Sequence, residues 1–203
     1  MRKIGIMGGT FNPIHVGHLM LAQWAMEEQD LDEIWFIPTG YSYMKEEQNV
    51  VSPEDRFQMV LLAVADNDRM CCLDVEIKRE GYTYSYETIE QLKKEYPEDE
   101  FYFIFGADCL FAIETWRCPE KIFANCRVIA AGRGGASEKQ MREKIEELEV
   151  KYGADIIMMP FPSLAISSTL IRERVREGKN VRYLVPDLVA DYIEGKRFYE
   201  NEG

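Results

Sequence analysis

The 203-residue sequence predicts an α/β fold: a doubly wound parallel sheet with helices on both faces and a small C-terminal helical subdomain. Three observations point to it. Short apolar runs alternate with helix-forming segments along the whole chain, the pattern of βαβ crossovers. The apolar runs are nearly continuous, as expected of strands buried on both faces. Glycine, polar and aromatic residues collect directly after those runs, in GGTFNPIHVGH, PTGYSYMK, GADCLFAIETW, GRGG and PSLAISS. In sheets of this kind, ligands sit beyond the carboxyl ends of the strands.

Each element has its own reason. Lys3–Met7 (KIGIM) is a short apolar run stopped by Gly8-Gly9, hence a first strand. Leu19–Glu28 holds good helix formers without Gly or Pro, and Glu33–Ile37 (EIWFI) is a strand ending at Pro38. Ser52-Pro53-Glu54-Asp55 reads as a helix start, with Ser as N-cap, Pro in the first helical position and acids in the first turn. CCLDVEI follows as a strand, YSYETIEQLKKEY as a helix, EFYFIFG as a strand, an irregular helical stretch near Cys118–Asn125, and CRVIAAG as a strand. SEKQMREKIEELEVKYG is a helix, ADIIMMPF a strand, and SSTLIRERVREG a helix closed by Gly178. A last helix runs from about Pro186 to Glu194. Repeats, low-complexity segments and linkers are absent, so residues 1–203 form one domain in which the last two helices, about 167–195, make the subdomain.

Composition narrows the function. A net charge of −12 argues against a nucleic-acid partner, which calls for a basic face, but leaves room for an anionic small molecule held by a local cluster of donors. An apolar run of membrane-spanning length is missing, and MRKIGIMGG is not a secretory leader. Five cysteines without a CxxC pair are expected to be reduced, buried thiols of a cytoplasmic protein. The interleaved charges of residues 138–151 describe a solvated helix face.

The chain's two histidines, His15 and His18, both lie in the loop after the first strand. Gly8-Gly9-Thr10 permits close backbone approach to an anion, and Gly17 allows a tight turn that places His18 near a helix N-terminus, where the dipole also favours negative charge. The loop matches neither GxGxxG nor the Walker pattern. A zinc site would need three or four protein ligands, and two histidines fall short. Phosphate binding with stabilisation of transition-state charge is the reading these residues favour over purely structural roles.

The segment GGTFNPIHVGH resembles the (H/T)xGH signature of the nucleotidylyltransferase superfamily, and ISSTLIRERV resembles its second, ISSTxxR signature. PTGYSYMK, SPEDRFQMV, GYTYSYETI, FIFGAD with Trp116 beyond it, and YLVPDLVADYI extend the similarity over essentially the whole chain, to the bacterial nicotinate-nucleotide adenylyltransferases. Two departures stand out. Asn12 occupies a position where that family often has Asp, and SYMK replaces its usual PPHK, so a histidine is absent there while Lys45 remains.

The resemblance implies a Rossmann-like domain that joins nicotinate mononucleotide (NaMN) to the AMP portion of ATP, releasing pyrophosphate. His15 and His18 are then the catalytic pair. Gly8, Gly9, Thr10, Phe11, Gly106, Asp108, Ser167, Ser168 and Arg172 are expected on the ATP side, with Asp108 at a ribose hydroxyl. Thr39, Lys45, Thr83, Tyr84, Trp116 and Arg133 are expected on the acceptor side, with Trp116 stacked on the pyridine ring. Simpler readings exist: Ser167 and Asp108 as N-caps, Trp116 as core. Mg²⁺ is expected to arrive on the ATP phosphates without a protein cage of carboxylates. The alternatives are a sister enzyme using nicotinamide mononucleotide (NMN) or phosphopantetheine, or a nucleotide-binding protein without catalysis. Oligomeric state is left open by the sequence, and a homo-oligomer is compatible with it.

Overall fold

The computed structural model describes residues 1–42, 50–132, 138–162 and 164–200. Its main sheet has six parallel strands in the order β4-β2-β1-β6-β7-β8. These are β1 (Lys3–Gly9), β2 (Glu33–Pro38), β4 (Met70–Cys72), β6 (Glu100–Gly106), β7 (Arg127–Gly132) and β8 (Ile156–Pro160). A ribbon of two short parallel strands, β3 (Tyr41–Ser42) and β5 (Tyr82–Thr83), stands apart from it. The helices are α1 (Val16–Glu28), α2 (Pro53–Val64), α3 (Ser85–Glu95), α4 (Ala107–Ala112), α5 (Pro119–Asn125), α6 (Glu138–Tyr152), α7 (Ser168–Arg176) and α8 (Asp187–Lys196).

Period-two alternation sorts the strand side chains onto two faces. Ile34 and Phe36 of β2, Tyr102 and Ile104 of β6, and Ile129 and Ala131 of β7 join one core with Leu21, Ala25 and Met26 of α1, Met59 and Val60 of α2, Ile171 of α7, and Val189 and Ile193 of α8. Trp35 and Ile37, Phe101, Phe103 and Phe105, and Val128 and Ala130 turn the other way, against Ile89 and Leu92 of α3, Leu110 of α4, Ile122 of α5 and Ile145 and Leu148 of α6. Each fully buried Ile or Phe contributes about 1.5–3 kcal/mol, so these two layers dominate the favourable side of folding. The doubly wound sheet is therefore as expected. The last two helices share the first core with α1 and α2.

Several boundaries move. The strand expected over CCLDVEI stops at Cys72, and residues 75–80 turn, which carries Glu76 inward rather than along a sheet. Helix α1 begins at Val16, not Leu19, because His15 caps it. Ser52 caps α2 as expected, accepting the Asp55 amide at 3.1 Å. The cysteines are free thiols, but only Cys126 is buried; the other four are partly exposed, contrary to the expected burial of all five, and burial pushes Cys71 up to about 11 and Cys126 to about 12.

Because β1 lies between β2 and β6, the direction of winding reverses between β1 and β6. The carboxyl ends of those two strands are Gly8-Gly9 and Gly106, and that crevice is where a ligand of such a sheet belongs.

Candidate active site

The loop between β1 and α1 is held from several directions. Phe11 sits in left-handed backbone conformation (φ 50°), with its ring buried across Phe36 and edge-on to the His18 ring at 5.1 Å. Asn12 is buried; its Oδ1 accepts the Tyr199 hydroxyl at 2.8 Å and the Val51 amide at 3.3 Å. The residue where the related family often has Asp thus works as a loop anchor, since a neutral amide oxygen satisfies both donors without burying a charge.

His15 is the N-cap of α1 and His18 its third residue. The His18 amide donates to the His15 carbonyl at 2.9 Å, while the His15 amide donates to His18 Nδ1 at 3.3 Å, a capping box built from imidazoles. With Nδ1 accepting, neutral His18 carries its proton on Nε2, so that nitrogen is a donor. The two rings stack with centroids 3.7 Å apart. Gly17 makes this possible, but not as the tight turn the sequence suggested. It lies inside the helix, and a Cβ there would meet His15 Nδ1 at 3.0 Å and Cε1 at 3.1 Å.

Helix α7 docks its N-terminus onto the same loop. Ser168 Oγ donates to the Pro13 carbonyl at 2.8 Å, and Arg172 Nη1 donates to the Asn12 carbonyl at 2.8 Å. Ser167 is an N-cap, accepting the Leu170 amide at 3.1 Å. The segments around His15 and Ser168, far apart in the chain, are thereby joined directly, and two helix N-termini with their unbonded amides border one loop. Asp108 sits exposed in the first turn of α4, whose N-cap is Gly106, so the simple capping role does not apply to Asp108.

Beside the glycine loop lies a cavity of about 360 Å³ lined by Gly8, Gly9, Thr10 and Thr39 on one wall and by Thr83, Tyr84, Trp116 and Arg117 on the other. Trp116 is half-buried and meets Phe103 and Phe105 at 6.2 Å, so one face belongs to the core while the side chain also borders the cavity. Arg117 lies over the Tyr84 ring at 4.9 Å and donates to its hydroxyl at 3.2 Å. Thr83 is buried, with its Oγ1 outside hydrogen-bond geometry but beside the Glu76 carboxyl. Lys45 and Arg133, the two remaining expected acceptor-side residues, fall outside the described residues.

Sequence reasoning missed Glu76, Thr88, Arg117 and Arg56. Burial raises the Glu76 carboxyl, and the hydrogen bond from the Thr88 hydroxyl at 2.8 Å works against that rise. Two of these could have been found. Arg56 falls on the buried stripe with Met59, Val60 and Ala63, where a charge is anomalous, and Glu76, like Asp74, breaks the apolar residues of CCLDVEI. Two larger hollows, one between α6 and β8 and one among the C-terminal helices, are lined by neither histidine. Among the described residues, no group of His, Cys, Asp or Glu is arranged to hold a metal, and no helix is long and apolar enough to cross a membrane.

A glycine loop and a paired-histidine helix start at the switch point of a parallel sheet define a nucleotidyltransferase-type domain, and residues 6–174 match the family model described as cytidylyltransferase-like. A "Probable nicotinate-nucleotide adenylyltransferase" of Lachnoclostridium phytofermentans is 45% identical over 199 residues, covering 98% of this chain and all of the relative. One from Thermoanaerobacter sp. is 40% identical over 201 residues, covering 98% and 95%. The chain belongs to the nicotinate-nucleotide adenylyltransferase family. Among solved structures, the Plasmodium falciparum nicotinic acid mononucleotide adenylyltransferase complexed with NaAD superposes with a TM-score of 0.81 at 21% identity, over 98% of each chain, a likeness of fold.

Proposed function

We propose that this protein transfers the AMP group of ATP to nicotinate mononucleotide, giving nicotinate adenine dinucleotide and pyrophosphate. The observation that carries the proposal is the joining of α1 and α7 on one loop, Ser168 to Pro13 and Arg172 to Asn12, with the stacked histidines at its end and the aromatic cavity alongside.

The attacking group is a phosphate oxygen of the acceptor, already ionised at neutral pH, so no general base is required. Its bond to the α-phosphorus forms as the bond from that phosphorus to the bridging oxygen breaks, and the electron pair leaves with pyrophosphate. Catalysis then reduces to in-line positioning and charge neutralisation. The backbone at Gly8–Thr10 lies against the triphosphate, and His18 Nε2–H donates to the oxygens that gain charge. The amides at the start of α7 face the pyrophosphate end, and Asp108 receives a ribose hydroxyl. Thr83, Tyr84 and Trp116 hold the pyridine ring. Lys45 and Arg133 are acceptor-side residues by resemblance. Magnesium enters as MgATP, held by the phosphates, in keeping with a donor set of imidazoles, amides and hydroxyls that offers it no carboxylate cage. The reaction is assigned to the cytoplasm, whose reducing conditions suit five free thiols.

Pyrophosphate release with ATP and, in turn, NaMN, NMN and phosphopantetheine tests the assignment. Turnover with NaMN well above the other two is expected. Turnover with phosphopantetheine alone, or none with any acceptor, would overturn it.

A further inference from the structure

The Gly40 peptide lies between two buried ionisable residues. Its carbonyl accepts from Arg56 Nη2 at 3.0 Å, and its other side lies directly against Glu76. A Cβ at position 40 would lie 2.3 Å from the Glu76 carbonyl oxygen, which is backbone and cannot yield.

Each of the two also reaches a different part of the site. The Arg56 side chain, almost wholly buried, donates to the Thr10 carbonyl in the glycine loop at 2.7 Å and to the Val51 carbonyl at 3.3 Å. Glu76 accepts the Thr88 hydroxyl at 2.8 Å, Thr88 in turn accepts Arg79 Nη1 at 3.0 Å, and Thr83 lies beside the same carboxyl. Gly40 leads into β3 and Thr83 ends β5, so Glu76 sits at the root of the two-stranded ribbon. A chain of contacts therefore runs from Thr10 through Arg56 and Gly40, by hydrogen bonds, and on through Glu76 to Thr83, by close approach. It starts at the loop that faces ATP and ends in the wall of the acceptor cavity.

We propose that Arg56 and Glu76 are positioning residues that act through the Gly40 peptide, Glu76 setting the acceptor pocket and Arg56 setting its alignment with the glycine loop. Packing alone does not call for these groups, since apolar side chains of similar volume would fill the space without desolvating a guanidinium and a carboxyl group. Planar guanidinium donors can hold Thr10 and Gly40 at a set separation, which a point charge cannot. In-line transfer is sensitive to that separation, since about 1 Å of misplacement can cost about 10²-fold.

The inference rests on the adenylyl-transfer reading, so the wild-type protein is assayed first. Failure of the wild type to turn over NaMN counts against that reading alone. With turnover in hand, Glu76→Gln is expected to raise KM for NaMN about tenfold while leaving KM for ATP, kcat and Tm nearly unchanged. Thr88→Val, which removes the hydroxyl donor, is expected to move KM for NaMN the same way, and stands in if the Glu76 variant does not fold. Arg56→Lys keeps the charge but cannot span both carbonyls, and is expected to lower kcat about tenfold with a smaller change in either KM. The double variant is expected to lose less kcat/KM than the product of the single losses, because both act on one link. Acceptor KM within about twofold of wild type in both Glu76→Gln and Thr88→Val, wild-type kcat in Arg56→Lys, or fully multiplicative losses would overturn the proposal.

Discussion

The His15 and His18 rings stack at 3.7 Å and 19° between planes, with the His15 amide donating to His18 Nδ1. A ring supported on one face and bonded at one nitrogen has little freedom left, so its other nitrogen is pre-aimed. That is the condition under which a donor stabilises a transition state without reorganising.

His18→Ala removes such a donor. Its kcat is expected to fall by about 10²–10³ while ATP binding weakens less, measured by steady-state kinetics and by titration with a non-hydrolysable ATP analogue.

Gly17→Ala separates helix stability from site geometry. Alanine is the better helix former, by less in this first turn than the about 0.5–1 kcal/mol of a helix interior, so Tm should change little. The added Cβ would crowd the His15 ring at 3.0 Å, so the stack shifts and kcat should drop by about tenfold or more. Thermal melts and kinetics on one preparation check both outcomes.

Trp116→Ala tests the double placement of that ring. Loss of the cavity face should raise KM for NaMN several-fold without changing KM for ATP. Loss of the contacts with Phe103 and Phe105 should lower Tm by a few degrees.

Acceptor choice follows from the cavity's donors. Under the proposed assignment, the nicotinate carboxylate would take charge-assisted hydrogen bonds from backbone amides near Thr83–Tyr84, as the family resemblance implies, whereas the amide analogue would turn an N–H₂ toward an N–H. One such bond lost, about 1.5–3 kcal/mol, together with the donor–donor contact, gives kcat/KM for NaMN at least about 10²-fold above that for NMN. Parallel assays with the two acceptors check the ratio.

Glu114 supplies a pH test remote from the site. Hydrogen bonds from Lys144 and then Lys151 hold its carboxyl down at about 2. A depressed folded value means the stabilisation is present above the unfolded range near 4.3 and is lost as pH falls toward 2. Glu114→Gln should therefore melt below wild type at pH 7, and the gap should close as the pH is lowered through that window. Added salt should shrink the gap only in part, because Lys151 is exposed while Lys144 and Glu114 are half-buried.

Much of this was legible from the chain. The near-continuous apolar runs KIGIM and EFYFIFG point to strands buried on both faces, and the Ser52-Pro53 start dictates α2, because such local patterns depend on neighbours in sequence. The position of the glycine- and histidine-bearing loop was legible for the same reason: its glycines and both histidines lie within residues 8–18. The ribbon β3–β5 was not, since two residues per strand carry no period.

Periodicity tells a residue which face it occupies but not which partner it meets there. Arg56 shows the difference. Its place on the buried stripe of α2 follows from spacing, yet the carbonyls of Thr10 and Gly40 come to it only when β1 and β2 lie side by side. Likewise Gly17 reads locally as a turn, and it becomes a space for an imidazole only because His15 caps the helix and folds back over it. Local propensity settled the elements and brought the glycines and both histidines into one loop. The long-range contacts that close the site, Ser168 to Pro13, Arg172 to Asn12 and Tyr199 to Asn12, were settled by packing, because a buried polar group takes whatever partner the folded chain brings within reach.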